Sequence, residues 1–136
     1  MGISTRGIYG LSAVYYILLN SHERTVQAGE ISKAIGVPQN YLEQLLFVLR
    51  NKNFLRSTRG PKGGYYIPEE TKNLTIGTLL DTLENGSWHK EIETYSPALN
   101  LFWGDVNARI NELYNIKLVD LLKYEERVLD QSMYHI

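Results

Sequence analysis

Between residues 8 and 19 nearly every side chain is apolar, and Ile8, Leu11, Tyr15 and Leu18 recur at helical spacing. This pattern predicts a first helix ending near Asn20-Ser21, with Ser4-Thr5 as its N-cap candidate. The polar residues His22 to Thr25 break it. Ile31, Ala34 and Ile35 then share one side of a short helix over 28–35, with Gly36 at its C-terminal stop. Val37-Pro38-Gln39 turns into a third helix reaching about residue 53, Pro38 suiting its first turn. Two short helices joined by a tight glycine-containing turn predict a helix-turn-helix. Residues 54–58 and 65–67 are β-rich and flank a Gly/Pro loop, which predicts a hairpin.

Helix-turn-helix followed at once by a hairpin is the winged-helix order. Past Pro68, Thr75 is placed to cap a helix over 76–83, closed at Asn85-Gly86. Residues 87–96 lack periodicity and read as loop. A long helix is expected from Pro97 to about 115 and a short one over roughly 119–126, followed by a tail to Ile136. No repeats or low-complexity segments occur. The expected fold class is mainly α with a small β-hairpin wing. It comprises a winged helix-turn-helix over 1–84, then a loop, a long dimerisation helix and a C-terminal tail over 85–136.

Composition narrows the class. A chain of 136 residues, 43% hydrophobic, builds an adequate core without metals or disulfides. No apolar run approaches the roughly eighteen residues of a membrane span, and no basic-then-apolar leader opens the chain, so a cytoplasmic location is expected. There is no cysteine, which excludes disulfides and thiolate metal ligation within the chain. A net charge of −1 argues against nucleic acid until the halves are separated. Residues 1–67 hold eight Lys/Arg against three Asp/Glu, whereas 68–136 hold six against twelve. A basic front half suits phosphates, although chance clustering gives the same counts.

On a helical wheel Leu42, Leu45, Leu46 and Leu49 share one face of the third helix, and Asn40, Glu43, Gln44, Phe47 and Asn51 the other. Asn or Gln can pair with adenine, Glu can accept from cytosine, and Phe can contact a thymine methyl. Arg50 and Lys52 flank this face within reach of phosphates. An ordinary surface helix shows such a stripe too, but the second helix of a helix-turn-helix is where recognition residues sit. In the loop, Arg59 and Lys62 supply charge, and Gly60, Gly63 and Gly64 let backbone approach closely. Arg59 suits a narrow minor groove, and Tyr65 or Tyr66 can donate to a phosphate. A nucleotide-binding loop would need a following Gly-Lys-Ser/Thr, which is missing; a plain hairpin turn is the other reading.

Leu99, Trp103, Val106, Ile110 and Leu113 alternate spacings of four and three, a heptad-like seam expected to pair two copies. Packing against the chain's own core is the alternative. His89, Glu91 and Glu93 alternate but have no partner motif, so no metal is expected. Trp88, Phe102 and Trp103 are expected in the core rather than lining an effector pocket. His22 and His135 read as surface residues. No cysteine nucleophile, G-x-S-x-G, Walker loop or histidine-tied carboxylate pair is present, so no catalytic residues and no enzyme are expected. A winged helix that binds protein instead of DNA is the competing function.

Three motifs carry a family resemblance: Ser4-Thr5-Arg6-Gly7-Ile8-Tyr9-Gly10, Tyr41-Leu42-Glu43-Gln44-Leu45, and Arg59-Gly60-Pro61-Lys62-Gly63-Gly64-Tyr65. In register over essentially the whole chain, they resemble the Rrf-type regulators, the IscR, NsrR and CymR group. The resemblance implies a winged-helix homodimer on pseudo-palindromic double-stranded operators, commonly as a repressor. It implies that Asn40, Glu43 and Gln44 read bases, that Arg59 enters the minor groove, and that Tyr9 and Tyr41 contact backbone. Phe47 departs from the small residue usual there, which leaves the operator preference open. Many members hold an iron–sulphur cluster on cysteines before the long helix. The corresponding stretch here, about 88–104, has none, so no cofactor is expected. Leu101–Trp103 and a tail ending Tyr-x-Ile resemble the cluster-free branch that represses cysteine metabolism. That branch works with cysteine synthase, whose active site accepts a C-terminal isoleucine, so Tyr134 and Ile136 are expected to dock there; a frayed end is the alternative.

Overall fold

The computed structural model of the chain describes residues 2–85 and 91–134. In chain order these form α1 (Thr5–Asn20), α2 (Ala28–Ile35), α3 (Gln39–Asn51), β1 (Arg56–Thr58), β2 (Gly64–Tyr66), α4 (Glu69–Lys72) and α5 (Ile76–Glu84). There follow α6 (Pro97–Tyr114), a 3-10 turn (Leu118–Leu121) and α7 (Leu122–Tyr134). Helix α1 packs against α2, α3 and α5. Their shared core holds Val14 and Ile17 of α1, the four leucines of α3, and Leu80 and Leu83 of α5.

Helix α1 meets α5 through glycine. A Cβ on Gly10 would stand 2.4 Å from Leu83 Cδ1, and one on Gly7 would stand 2.2 Å from Glu84 Oε1. The contact is therefore closer than larger side chains permit. Within the apolar stripe Ile8 is 54% exposed and Leu11 and Tyr15 are half-buried, whereas Leu18 is buried in the core. Ser4 holds the N-cap position of α1 without capping it. Its backbone N–H (2.9 Å) and its hydroxyl (2.8 Å) both donate to Glu84 Oε1, while Arg6 Nε donates to the Leu83 carbonyl at 2.8 Å.

The helix ends follow the turn chemistry. Gly36 closes α2 at φ 71°, and the Thr75 hydroxyl caps α5 by accepting from the Thr78 amide at 3.2 Å. Helix α3 stops at Asn51, short of the expected residue 53. Asn53 turns into the left-handed region (φ 66°), the Phe54 amide bonds back to the Leu49 carbonyl, and Phe54 and Leu55 enter the core. Strand β1 accordingly begins only at Arg56.

Two segments differ from expectation. Helix α4 is a single turn after Pro68 that seats Thr71 in the core, too short to leave a periodicity. The segment after 126, expected as a tail, continues α7 to Tyr134. Its apolar residues Val128, Leu129 and Met133 are exposed, so little burial pattern marks it. Helix α6 has no buried residue over its 18 positions. The chain beyond it is tied back through Ile76 N–H to the Ile116 carbonyl (2.9 Å), Leu118 N–H to the Leu74 carbonyl (2.8 Å), and the buried Leu118 side chain.

Candidate nucleic-acid interface

Helix α3 divides cleanly. Leu42, Leu45, Leu46 and Leu49 are each 0% exposed, while Asn40, Glu43, Gln44, Phe47 and Asn51 all stand exposed on the other side. Gln39 Nε2 donates to Glu43 Oε1 at 3.2 Å, holding that carboxylate along the helix. Phe47 is 54% exposed, with the Arg50 guanidinium 5.7 Å over its ring. Arg50 Nη1 also reaches Ser57 Oγ of β1 at 3.4 Å, so the cation leans from α3 toward the wing. Tyr41 meets Tyr9 edge to face at 6.2 Å, which places both expected backbone-contacting tyrosines together and fixes the start of α3 against α1.

The wing pairs Arg56 with Tyr66, Ser57 with Tyr65 and Thr58 with Gly64. Val26, in the stretch before α2, adds a rung that the sequence did not reveal. It donates to the Tyr65 carbonyl at 2.8 Å and accepts from the Tyr65 amide at 2.7 Å. The Thr25 hydroxyl donates to the Lys62 carbonyl at 2.8 Å. Glycine permits this closeness, because a Cβ on Gly64 would stand 2.7 Å from the Val26 carbonyl oxygen. Arg59 and Lys62 are exposed at the tip, and Tyr65 and Tyr66 are half-buried. Gly63, grouped with the DNA-facing residues from sequence, is buried, and its amide donates to the Gly60 carbonyl at 2.8 Å. Its part is to shape the loop that presents Arg59 and Lys62.

Under the wing, Arg24 grips Glu30 with two hydrogen bonds of 2.8 and 2.7 Å, and the Tyr16 hydroxyl donates to the same carboxylate. Arg24, and then Tyr16, push the Glu30 carboxyl down to about 2 from its ordinary 4.5. A carboxyl depressed in the folded state stabilises the fold fully above its unfolded value. That contribution is lost as pH falls from about 4.5 toward 2. In Arg24→Ala the Glu30 side chain should titrate closer to the ordinary value in a carboxyl NMR titration. An unmoved titration would show that Arg24 is not the cause.

The expected dimer seam lies along α6. Leu99 and Leu113 are 43% and 68% exposed, while Trp103, Val106 and Ile110 are half-buried. Phe102 and Trp103 meet edge to face at 5.1 Å. Phe102 is 54% exposed and Trp103 half-buried, so neither sits in the core as expected; α6 lies across the core instead of within it. Trp88, His89, His135 and Ile136, and the side chain of Tyr134, lie outside the described residues. Glu91 and Glu93 are exposed, as is His22. The residues that sequence reasoning missed tie the elements together: Ser4, Arg6 and Glu84 join α1 to α5, and Thr25 and Val26 hold the wing. Only the Gly7/Gly10 spacing hinted at the first group.

The model of the family described as iron-dependent transcriptional regulators, Rrf2, matches residues 3–124. CymR of Bacillus subtilis is 30% identical over 138 residues, spanning all of both chains. IscR of Erwinia tasmaniensis is 28% identical over 134 residues, 93% of this chain and 81% of that protein. The structure of B. subtilis CymR, described as that organism's global cysteine regulator, matches with a TM-score of 0.81 at 30% identity, covering 91% of this chain and 98% of CymR. T. potens IscR matches with a TM-score of 0.77 at 29% identity, covering 94% and 90%. The family description names iron, yet iron–sulphur groups are held chiefly by thiolates. This chain has no cysteine, and among the described residues no three His, Asp or Glu side chains converge. The residues present do not fit such a group. The chain belongs to the Rrf2 family of transcriptional regulators, with a winged helix-turn-helix as its DNA-binding element.

Proposed function

We propose that the chain is a homodimeric repressor that reads a pseudo-palindromic operator with α3 and the wing, in control of cysteine or sulphur metabolism. The two-sidedness of α3 is the observation that carries this reading: a fully buried leucine face locks the helix while Asn40, Glu43, Gln44 and Phe47 project from the other side. Amides, a carboxylate and an aromatic ring suit base edges and the thymine methyl. Arg59 suits a narrow minor groove, and Arg50, Lys62, Tyr9, Tyr41 and Tyr65 suit phosphates. Gel shifts across a salt series test it. DNA affinity should fall on a log–log plot with a slope of about −0.9 per phosphate contact. Absence of DNA binding at low salt would leave a protein-interaction module.

Residues 1–84 serve as the reading unit in this proposal, and 85–136 pair the two copies. The lack of any buried residue on α6 supports a seam of Leu99, Trp103, Val106, Ile110 and Leu113 against a second copy. One recognition helix per chain also matches a two-fold operator. Ile110→Glu should yield monomers in sedimentation and weaken operator binding by about tenfold or more, since each half-site then binds alone. Lost affinity with an intact dimer would contradict the seam.

Likeness to a global cysteine regulator supports the sulphur assignment. Genome-wide footprinting should place sites near sulphur-metabolism genes. Cysteine synthase belongs to the same proposal as a partner docking on Tyr134 and Ile136; unchanged affinity after deleting Ile136 would remove it.

A further inference from the structure

Phe47 is the one apolar side chain on the exposed face of α3, where its neighbours are Asn40, Glu43, Gln44, Arg50 and Asn51. It stands three residues before Arg50, a spacing at which two side chains on a helix meet. The Arg50 guanidinium lies 5.7 Å over the Phe47 ring, and its Nη1 donates to Ser57 Oγ of β1 at 3.4 Å. Arg50 is thus held between a ring on the recognition helix and a hydroxyl on the wing. Other cations of the basic front half are placed differently. Arg24 and Arg56 sit on the Glu30 and Glu70 carboxylates at 2.7 and 2.6 Å, and Arg6 donates to the Leu83 carbonyl. Among the described residues Arg50 has no carboxylate partner. A ring and a hydroxyl fix its place and leave its charge whole.

We propose that Phe47 is a positioning residue for DNA: its ring holds the Arg50 guanidinium in the gap between α3 and the wing, poised for a backbone phosphate. This rests on the DNA-binding reading above. A long cationic side chain loses rotamer freedom when it docks on a phosphate, and one ordered beforehand avoids part of that cost. The planar guanidinium suits the arrangement. Its face stacks on the ring and one N–H meets Ser57, which leaves further edge donors for a bidentate phosphate contact. A cation near the C-terminal end of α3 would also favour the helix dipole, but that benefit needs neither the ring nor Ser57. Both side chains are exposed, so the contact adds little to the core.

The test uses the full chain and an operator obtained by selection from random DNA, with affinities measured across a salt series. Phe47→Leu keeps an apolar group for a thymine methyl but removes the ring. It should weaken binding about two- to fivefold, the scale of an exposed cation–ring contact, with base preferences and urea melts unchanged. Phe47→Tyr, which keeps the ring, should bind like the wild type. Arg50→Ala should reduce the salt slope by about 0.9, one phosphate contact. Adding Phe47→Leu to Arg50→Ala should then weaken binding no further, because the ring acts through the cation. In the free protein, the ring-current shift on the Arg50 side-chain protons should vanish in Phe47→Leu and persist in Phe47→Tyr. Additive losses in the double variant would overturn the proposal. So would a changed base preference in Phe47→Leu, which would make Phe47 a base reader alone, or a stability loss large enough to explain the weaker binding. A wild-type chain that binds no DNA at low salt would instead reject the DNA-binding reading.

Discussion

Leu45→Ala is expected to lower unfolding stability by about 2–5 kcal/mol and to abolish operator binding as the protein melts. Leu45 is 0% exposed, within a cluster that joins α1, α3 and α5. Truncation removes apolar contact and leaves a void that neighbours fill only in part. The loss is large against the total of about 5–15 kcal/mol that holds an ordinary domain together. Because Leu45 shares α3 with Glu43 and Gln44, stability and DNA affinity should fall together in urea melts and gel shifts. A stable variant with intact binding would show that the leucine face does not lock the recognition helix.

Gly64→Ala should separate the two properties. Its Cβ would stand 2.7 Å from the Val26 carbonyl oxygen and 2.8 Å from its carbon, both backbone atoms that cannot rotate away. The strand must shift, and the two hydrogen bonds between Val26 and Tyr65 are lost. Each such bond contributes about 1 kcal/mol, and the wing then loses its fixed position beside α3. The expected result is a helical core that melts cooperatively with modestly reduced stability, and an operator affinity reduced by about tenfold or more. Amide exchange at Val26 and Tyr65 should speed up selectively. Unchanged protection there would mean that glycine is not needed at this contact.

These two positions mark how far the sequence could be read. Helix α2 and its stop at Gly36 were legible because local chemistry decides them: an apolar pattern, then a residue that tolerates the left-handed turn. The two faces of α3 were legible for the same reason, since a 3.6-residue period fixes which side chains share a side. Long-range contacts were not. Nothing local in Ser4 announces that it donates to Glu84, 80 residues away, instead of capping its own helix. Nor does anything in Val26 announce a rung on the wing. The continuation of α7 beyond the short helix expected over roughly 119–126 escaped notice because its apolar side chains remain exposed, and exposed positions carry no burial rhythm. The aromatic pair Phe102 and Trp103 misled for the opposite reason: large apolar rings suggest a core, yet α6 lies on the surface of this one. The exposed face of α3 proposed to read bases was therefore visible as a set of residues, whereas the contacts that aim it were not.

The most direct test of the central claim, that α3 reads bases through Glu43 and Gln44, is binding-site selection from random DNA. It should be run in parallel with the wild-type chain, Glu43→Ala and Gln44→Ala. The wild type should select two inverted half-sites, and each variant should lose discrimination at its own position in each half-site, by about 1–3 kcal/mol, while neighbouring positions keep theirs. Identical base preferences in all three proteins would contradict it.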